Sequence, residues 1–215
     1  LLLLAGAAAA VLFIQWRNKI YTQYVVTSSV STTKPQSGNM VPFSNYLLTY
    51  SKDGASCMDA KGNAVWNVTF EMQNPKIDIC QNVVAIGDYN GRDLYIMNTG
   101  GLLGQITTNK PIRNFCIAAN GVVAVVVDDA DLTFIYLYDT KGEELVRLRT
   151  TMKDSGYPFS ITISPNGTLL CVSYLFVDSG ELKSSVAFYN FGEVGQNKTE
   201  HYVSGDEYLD VLVGY

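Results

Sequence analysis

The side chains able to do chemistry are few and widely spaced. Cys57, Cys80, Cys116 and Cys171, with the single histidine His201, are the only thiol and imidazole groups in 215 residues. No two cysteines form a C-x-x-C pair and none lies near His201, so the sequence offers no zinc ligand set. Each cysteine sits inside a short apolar phrase, which points to small buried free thiols, with disulfides as the alternative. Cys80 and Cys116 are 36 residues apart, close to one repeat of the pattern described below. Neighbouring repeats are expected to hold their Cα atoms beyond the roughly 7 Å that a disulfide allows. Asp128-Asp129-Ala130-Asp131 is the densest acidic cluster. It lacks the glycine and the distant glutamate of a calcium loop, and a solvated hairpin between Val127 and Leu132 is expected instead. His201 follows the polar run Asn197-Lys198-Thr199-Glu200, and no Gly-x-Ser-x-Gly elbow occurs, so it reads as a surface or strand-end residue. Asp78, Asp88, Asp93, Glu143 and Glu144 could pair for glycoside hydrolysis, although turn and solvent roles explain them. The sequons at Asn67, Asn166 and Asn197 matter only in a eukaryotic secretory pathway. No catalytic, metal-binding or cofactor-binding residue is assigned, and no cofactor is expected.

Composition narrows the classes further. The formal charge is −5, and no basic block follows the first twenty residues, which disfavours nucleic-acid binding. Apolar residues at 47% against 16% charged describe a chain that folds around a core. The abundance of Tyr, Phe and Gly leans toward sheet.

The elements that would position these residues come as a repeat. An apolar strand, a small polar residue and a glycine turn recur as Cys57-Met58-Asp59-Ala60-Lys61-Gly62, Tyr95-Ile96-Met97-Asn98-Thr99-Gly100 and Leu137-Tyr138-Asp139-Thr140-Lys141-Gly142. Phe188-Tyr189-Asn190-Phe191-Gly192 is a weaker copy. The steps between Asp59, Asn98, Asp139 and Asn190 are 39, 41 and 51 residues. The long third step is expected to come from a polar surface loop inserted near Val177 to Ser185. A second phrase, strand–turn–strand, runs over 77–86, 115–125 and 161–172. Asp-Gly or Asn-Gly steps at 53–54, 90–91, 120–121 and 166–167 (Asn166-Gly167) mark tight hairpins. Four short strands per unit of roughly 40 residues are the signature of a β-propeller blade; a sandwich or jelly roll fits the fixed period less well. Units are expected to begin near Pro75, Pro111 and Tyr157. Before them stand the last three strands of another unit, at about 46–50, 55–60 and 64–70. Tyr208 to Val213 read as the opening strand of one more. The fold class is therefore all-β, a propeller-like repeat of four-stranded blades that is expected to be an incomplete ring continuing past the chain end.

Ahead of the repeat, Leu1, Leu2, Leu3 and Leu4 open a run that ends with Val11, Leu12, Phe13 and Ile14 and carries no polar side chain. Trp16 suits a membrane–water interface, and Arg17 and Lys19 can reach headgroups. Fourteen apolar residues fall short of the roughly 20 of a spanning helix, so residues 1–16 are expected to be an uncleaved transmembrane signal anchor truncated at its start. A cleaved signal peptide and a buried soluble helix are the alternatives. Residues 17–38, with a strand-like piece at Tyr24 to Val30, read as a linker, and 39–215 as the propeller-like domain.

Two motifs carry a resemblance. Asp59-Ala60-Lys61-Gly62-Asn63-Ala64-Val65-Trp66 resembles the blade motif of quinoprotein-type (PQQ-like) propellers, which implies that Trp66 docks between blades. Ser164-Pro165-Asn166-Gly167-Thr168-Leu169-Leu170 is similar to the hairpin of WD40-like and TolB-like propellers. Together with the N-terminal anchor and the hairpin at Tyr50 to Gly54, the chain resembles an uncharacterised family of membrane-anchored propeller-like proteins from Gram-positive, clostridia-type bacteria. The docking tryptophan does not recur, since the later turns lead to Gln105 and Val146, so no quinone-binding residue is carried over. The resemblance implies a single-pass plasma-membrane protein with its C-terminal domain outside the cytoplasm. The function expected is a non-catalytic interaction or scaffolding module with a protein partner. A quinoprotein-like oxidoreductase, a carboxylate-based hydrolase and a ligand-sensing ectodomain are the alternatives.

Overall fold

The computed structural model describes residues 2–18, 25–26, 29, 38–129, 132–151, 156–192 and 202–204. Its first unit contains α1 (Leu2–Arg17), an apolar helix of 16 residues. Among the described residues no helix is long and apolar enough to cross a membrane. The expected anchor residue Leu1, the strand-like piece at Tyr24 to Val30 for the most part, and most of the linker lie outside the described residues.

The second unit is built from sixteen described strands in four antiparallel sheets, each in plain chain order. Sheet 1 holds β1 (Asn39–Phe43), β2 (Tyr46–Tyr50), β3 (Gly54–Met58) and β4 (Ala64–Thr69). Sheet 2 holds β5 (Pro75–Cys80), β6 (Val83–Asp88), β7 (Asp93–Asn98) and β8 (Gly101–Thr107). Sheet 3 holds β9 (Ile112–Ile117), β10 (Val123–Asp129), β11 (Leu132–Tyr138) and β12 (Glu144–Thr151). Sheet 4 holds β13 (Tyr157–Ile163), β14 (Leu169–Asp178), β15 (Glu181–Asn190) and β16 (Tyr202–Ser204).

Burial follows strand position, and the residue types explain why. The second strands β6 and β10 are continuous apolar runs, with Val83 to Ile86 and Val123 to Val127 all buried. Such runs suit strands covered on both faces. The third strand β11 alternates, burying Thr133, Ile135 and Leu137, as a half-covered strand does. The fourth strands β4 and β8 are largely exposed. Three apolar clusters glue consecutive sheets face to face, joining sheet 1 to 2, 2 to 3 and 3 to 4. None of these clusters joins sheet 4 to sheet 1 among the described residues.

Two expectations need correction. Sheet 1 has a complete set of four strands rather than three, because Asn39–Phe43 pairs with Tyr46–Tyr50 from Asn39 opposite Tyr50 to Phe43 opposite Tyr46. Pro42 hides this strand in the sequence. It lacks the N–H of a ladder residue and is tolerated because β1 is an edge strand. The polar insertion near Val177 to Ser185 is not a loop. Leu169–Asp178 and Glu181–Asn190 pair without interruption from Leu169 opposite Asn190 to Asp178 opposite Glu181. The extra residues lengthen a hairpin that turns tightly at Ser179-Gly180, both with positive φ. The opening strand expected at Tyr208 to Val213 lies outside the described residues.

Candidate functional site

The repeated small polar residue works as a turn lock between third and fourth strands. Asp59 Oδ1 accepts the N–H of Lys61 at 2.8 Å and of Asn63 at 2.9 Å, and Asp139 Oδ1 does the same for Lys141 and Glu143. Asn98 accepts from Gly100 and Asn190 from Gly192. Gly62 and Gly142 close the two Asp turns at φ 85° and 81°, where a Cβ would be strained. The side-chain hydrogen bond from Asn63, then its backbone bond, holds the Asp59 carboxyl below its ordinary range. In the β13–β14 turn, Asn166 Oδ1 accepts from Ser164 and Thr168, while its carbonyl accepts from Asn120 Nδ2 of sheet 3 at 2.9 Å. Gly167, at φ 74°, leaves the space that the Asn120 side chain fills. Trp66 is half-buried on β4 against the cluster shared by sheets 1 and 2, beside Gly101 of β8. Its indole Nε1 is buried without a hydrogen-bond partner among the described residues. All nine of these positions, Asn190 included, serve turns or sheet contacts.

Concave surface lies elsewhere, along the inner strands β5, β9 and β13. One cavity of about 260 Å³ is lined by Asp78 and Cys80, Asn114 and Cys116, and Ser160 and Thr162, among others. Asp78 Oδ2 accepts the Ile117 N–H at 2.7 Å, tying sheet 2 to sheet 3. Burial pushes the Asp78 carboxyl up despite this bond and that of Ile79. The second cavity, of about 340 Å³, is lined by Lys76, Ile77, Tyr89, Ile112, Arg113, Asn114 and Phe115. Gly87 makes room for the Phe115 ring, which a Cβ there would strike. Arg113 donates through Nε to Asp128 Oδ2 at 2.8 Å and through Nη1 to Asn90 Oδ1. Thr133 donates to the other Asp128 oxygen at 3.1 Å. Asn90 is itself fixed, since its N–H donates to the Ile112 carbonyl at 2.9 Å.

Several other chemistry-bearing residues have structural partners. Asp128 and Asp129 end β10 and pair with Arg113 and Lys110, so they are neutralised rather than merely solvated as expected; Asp131 and His201 lie outside the described residues. Asp88 accepts the N–H groups of Gln73 and Asn74, Asp93 accepts from Thr107 at 2.7 Å, and Glu144 holds Arg147. No group of three or more potential metal ligands occurs among the described residues. The four cysteines are buried and free. Burial raises every thiol, Cys116 well above its ordinary value and Cys171 to about 11. The thiolate is the reactive form, so at pH 8 only about a thousandth of such a thiol can react. Native protein is therefore expected to take up a thiol reagent far more slowly than the denatured, unreduced chain, which releases all four thiols. Two or fewer would reveal a disulfide. Lys76, Tyr89, Asn90 and Arg113 escape a sequence reading. The usable signal is a single cation early in each of two strand phrases, one residue after Pro75 and two after Pro111.

Comparison with known proteins agrees with the sheets. The chain is similar to Kuenenia stuttgartiensis hydrazine synthase at 16% identity, over 85% of this chain and 53% of that one, with a TM-score of 0.51. It is similar to Hsv2 of Kluyveromyces marxianus at 12% identity, over 83% and 57%, also with a TM-score of 0.51. BamB from Moraxella catarrhalis matches at 16% identity over 72% and 43%, with a TM-score of 0.47. The likeness is one of fold, and the fold is propeller-like. The chain spans about half the length of the solved chains it resembles. No curated protein matches it. Residues 17–215, which take in every sheet, fit one family model. The chain belongs to the family of unknown function DUF5711.

Proposed function

We propose that this protein is a membrane-held, extracytoplasmic interaction module that presents turns on a propeller-like frame and performs no chemistry of its own. The observation that carries the reading is α1. Val11, Leu12, Phe13 and Ile14 are each more than half exposed, and the helix has no polar face. A helix apolar on every side belongs in an apolar medium. Sixteen residues rise about 24 Å, and Trp16 and Arg17 end the helix with the residue types of a membrane interface. The turn locks support the second half of the reading: side-chain hydrogen bonds pin the hairpins, and pinned loops on a rigid frame suit recognition. The structural duties of Asp88, Asp93 and Glu144, and the bond by which Asp78 ties sheet 2 to sheet 3, weigh against the hydrolase alternative.

Fractionation of the native host tests this. The protein is expected to stay in the membrane pellet through high-salt and alkaline washes, and protease added to protoplasts is expected to digest the sheet domain. Release by alkaline wash, or protection from external protease, would overturn the location. A soluble mature form starting near Val11 would show a cleaved signal.

A further inference from the structure

The cavity between the starts of β5 and β9 is built around two cations that the fold does not use up. Lys76 has no hydrogen bond or ion pair among the described residues, although it lines the cavity. Arg113 is oriented from behind. Asp128 takes its Nε–H and Asn90 takes one Nη1–H, which leaves the Nη2 end of the guanidinium without a partner among the described residues. The carboxylate behind it is itself held by Thr133. The fork is thus locked in one plane, and a locked fork gives up little entropy when it binds a planar anion. Apart from Asn114, the remaining wall is apolar or aromatic: Ile77, Ile112, Phe115 and Tyr89. Ile112 is fully buried and Phe115 nearly so, so this wall forms part of the core and is firm.

From this juxtaposition we propose that the cavity binds a small organic carboxylate with an apolar or aromatic body, the carboxylate meeting Arg113 and Lys76 and the body lying on Phe115 and Tyr89. The charge balance agrees. Asp128 offsets Arg113, and Asp129 is paired with Lys110. Asp88 is spent on the Gln73 and Asn74 backbone. Lys76 remains as the uncompensated charge, so the site is net positive in an otherwise acidic chain. A cavity of about 340 Å³ sits at the small end of the usual range for ligand sites. The proposal gives the ligand-sensing alternative a ligand class and does not rest on membrane anchoring.

The test uses the full chain in mild detergent, with 3-phenylpropionate as probe and calorimetric titration as readout. 3-Phenylpropanamide is the uncharged control, phenethylamine the cationic one and inorganic phosphate the anion without a body. Only 3-phenylpropionate is expected to bind measurably. Lys76→Gln and Arg113→Gln are each expected to weaken it by about tenfold or more, the scale of a charge-assisted contact. Lys76 has no structural partner, so Lys76→Gln reads the site without disturbing the fold, even if Arg113→Gln fails to fold. No binding of 3-phenylpropionate up to about 10 mM, equal binding of the amide, or an unchanged affinity in Lys76→Gln would overturn the proposal. Phosphate binding as tightly as the acid would remove the apolar body from it. Failure of the membrane test leaves these outcomes unaffected, and the reverse also holds.

Discussion

Replacing Trp66 by alanine is expected to lower the unfolding free energy by about 3 kcal/mol, the low end of the range for truncating a large aromatic, because the residue is only half-buried. The ring packs against a cluster that includes Leu48 and Cys57 of sheet 1 and Val84 and Met97 of sheet 2. Its removal opens a gap between two sheets that cannot close without moving one whole layer. Trp66→Phe separates packing from polarity. It keeps an aromatic ring and removes an indole N–H that is buried without a partner, a group whose burial is costly. Its expected loss is therefore under about 1 kcal/mol. Urea unfolding of both variants measures the pair. A Trp66→Ala protein within about 0.5 kcal/mol of wild type would show that the ring is a surface residue.

Gly104→Ala is expected to cost about 2–3 kcal/mol through overpacking. A Cβ at this β8 position would run into the carbonyl oxygen of Thr140 in the neighbouring sheet. That carbonyl cannot step aside, since Thr140 sits in the turn that Asp139 locks through Lys141 and Glu143. The sheets themselves would have to part. Gly180→Ala is the control: no atom stands within 4 Å of its Cβ, and only the positive φ of 85° opposes it. A cost of about 1 kcal/mol is expected there. If Gly104→Ala unfolds at the same urea concentration as wild type, sheets 2 and 3 do not approach as closely as described.

Both substitutions probe sheet-to-sheet contacts, where the legibility of the sequence changes. Within sheet 2 it was nearly complete. The unit of four short strands expected to begin near Pro75 occurs as Pro75–Cys80, Val83–Asp88, Asp93–Asn98 and Gly101–Thr107. Inner strands expected near Pro75, Pro111 and Tyr157 begin at Pro75, Ile112 and Tyr157. Apolar alternation and turn chemistry act over two to five residues, and the Asp59 and Asp139 locks span four, so a short window of sequence contains the whole cause.

The sequence by itself thus determined the four-strand repeat, its turns, the buried thiols and the apolar N-terminal helix, because local hydrogen bonds and periodicity specify them. Tertiary structure decided the rest. Pro42 joins a strand because its partner Leu47 accepts a residue with no donor at an edge. The residues near Val177 extend a hairpin because Leu182 stands opposite to continue the ladder. Asp128 meets Arg113, 15 residues away, and Asp78 meets Ile117, 39 residues away. Whether a carboxylate faces water, a cation or an N–H group depends on how neighbouring sheets are set side by side. That placement follows from packing the continuous apolar strands β6 and β10 against one another's sheets, a balance of many weak contacts that no short stretch of residues encodes. The Arg113 cavity belongs to this second class, since its walls come from two sheets and one turn.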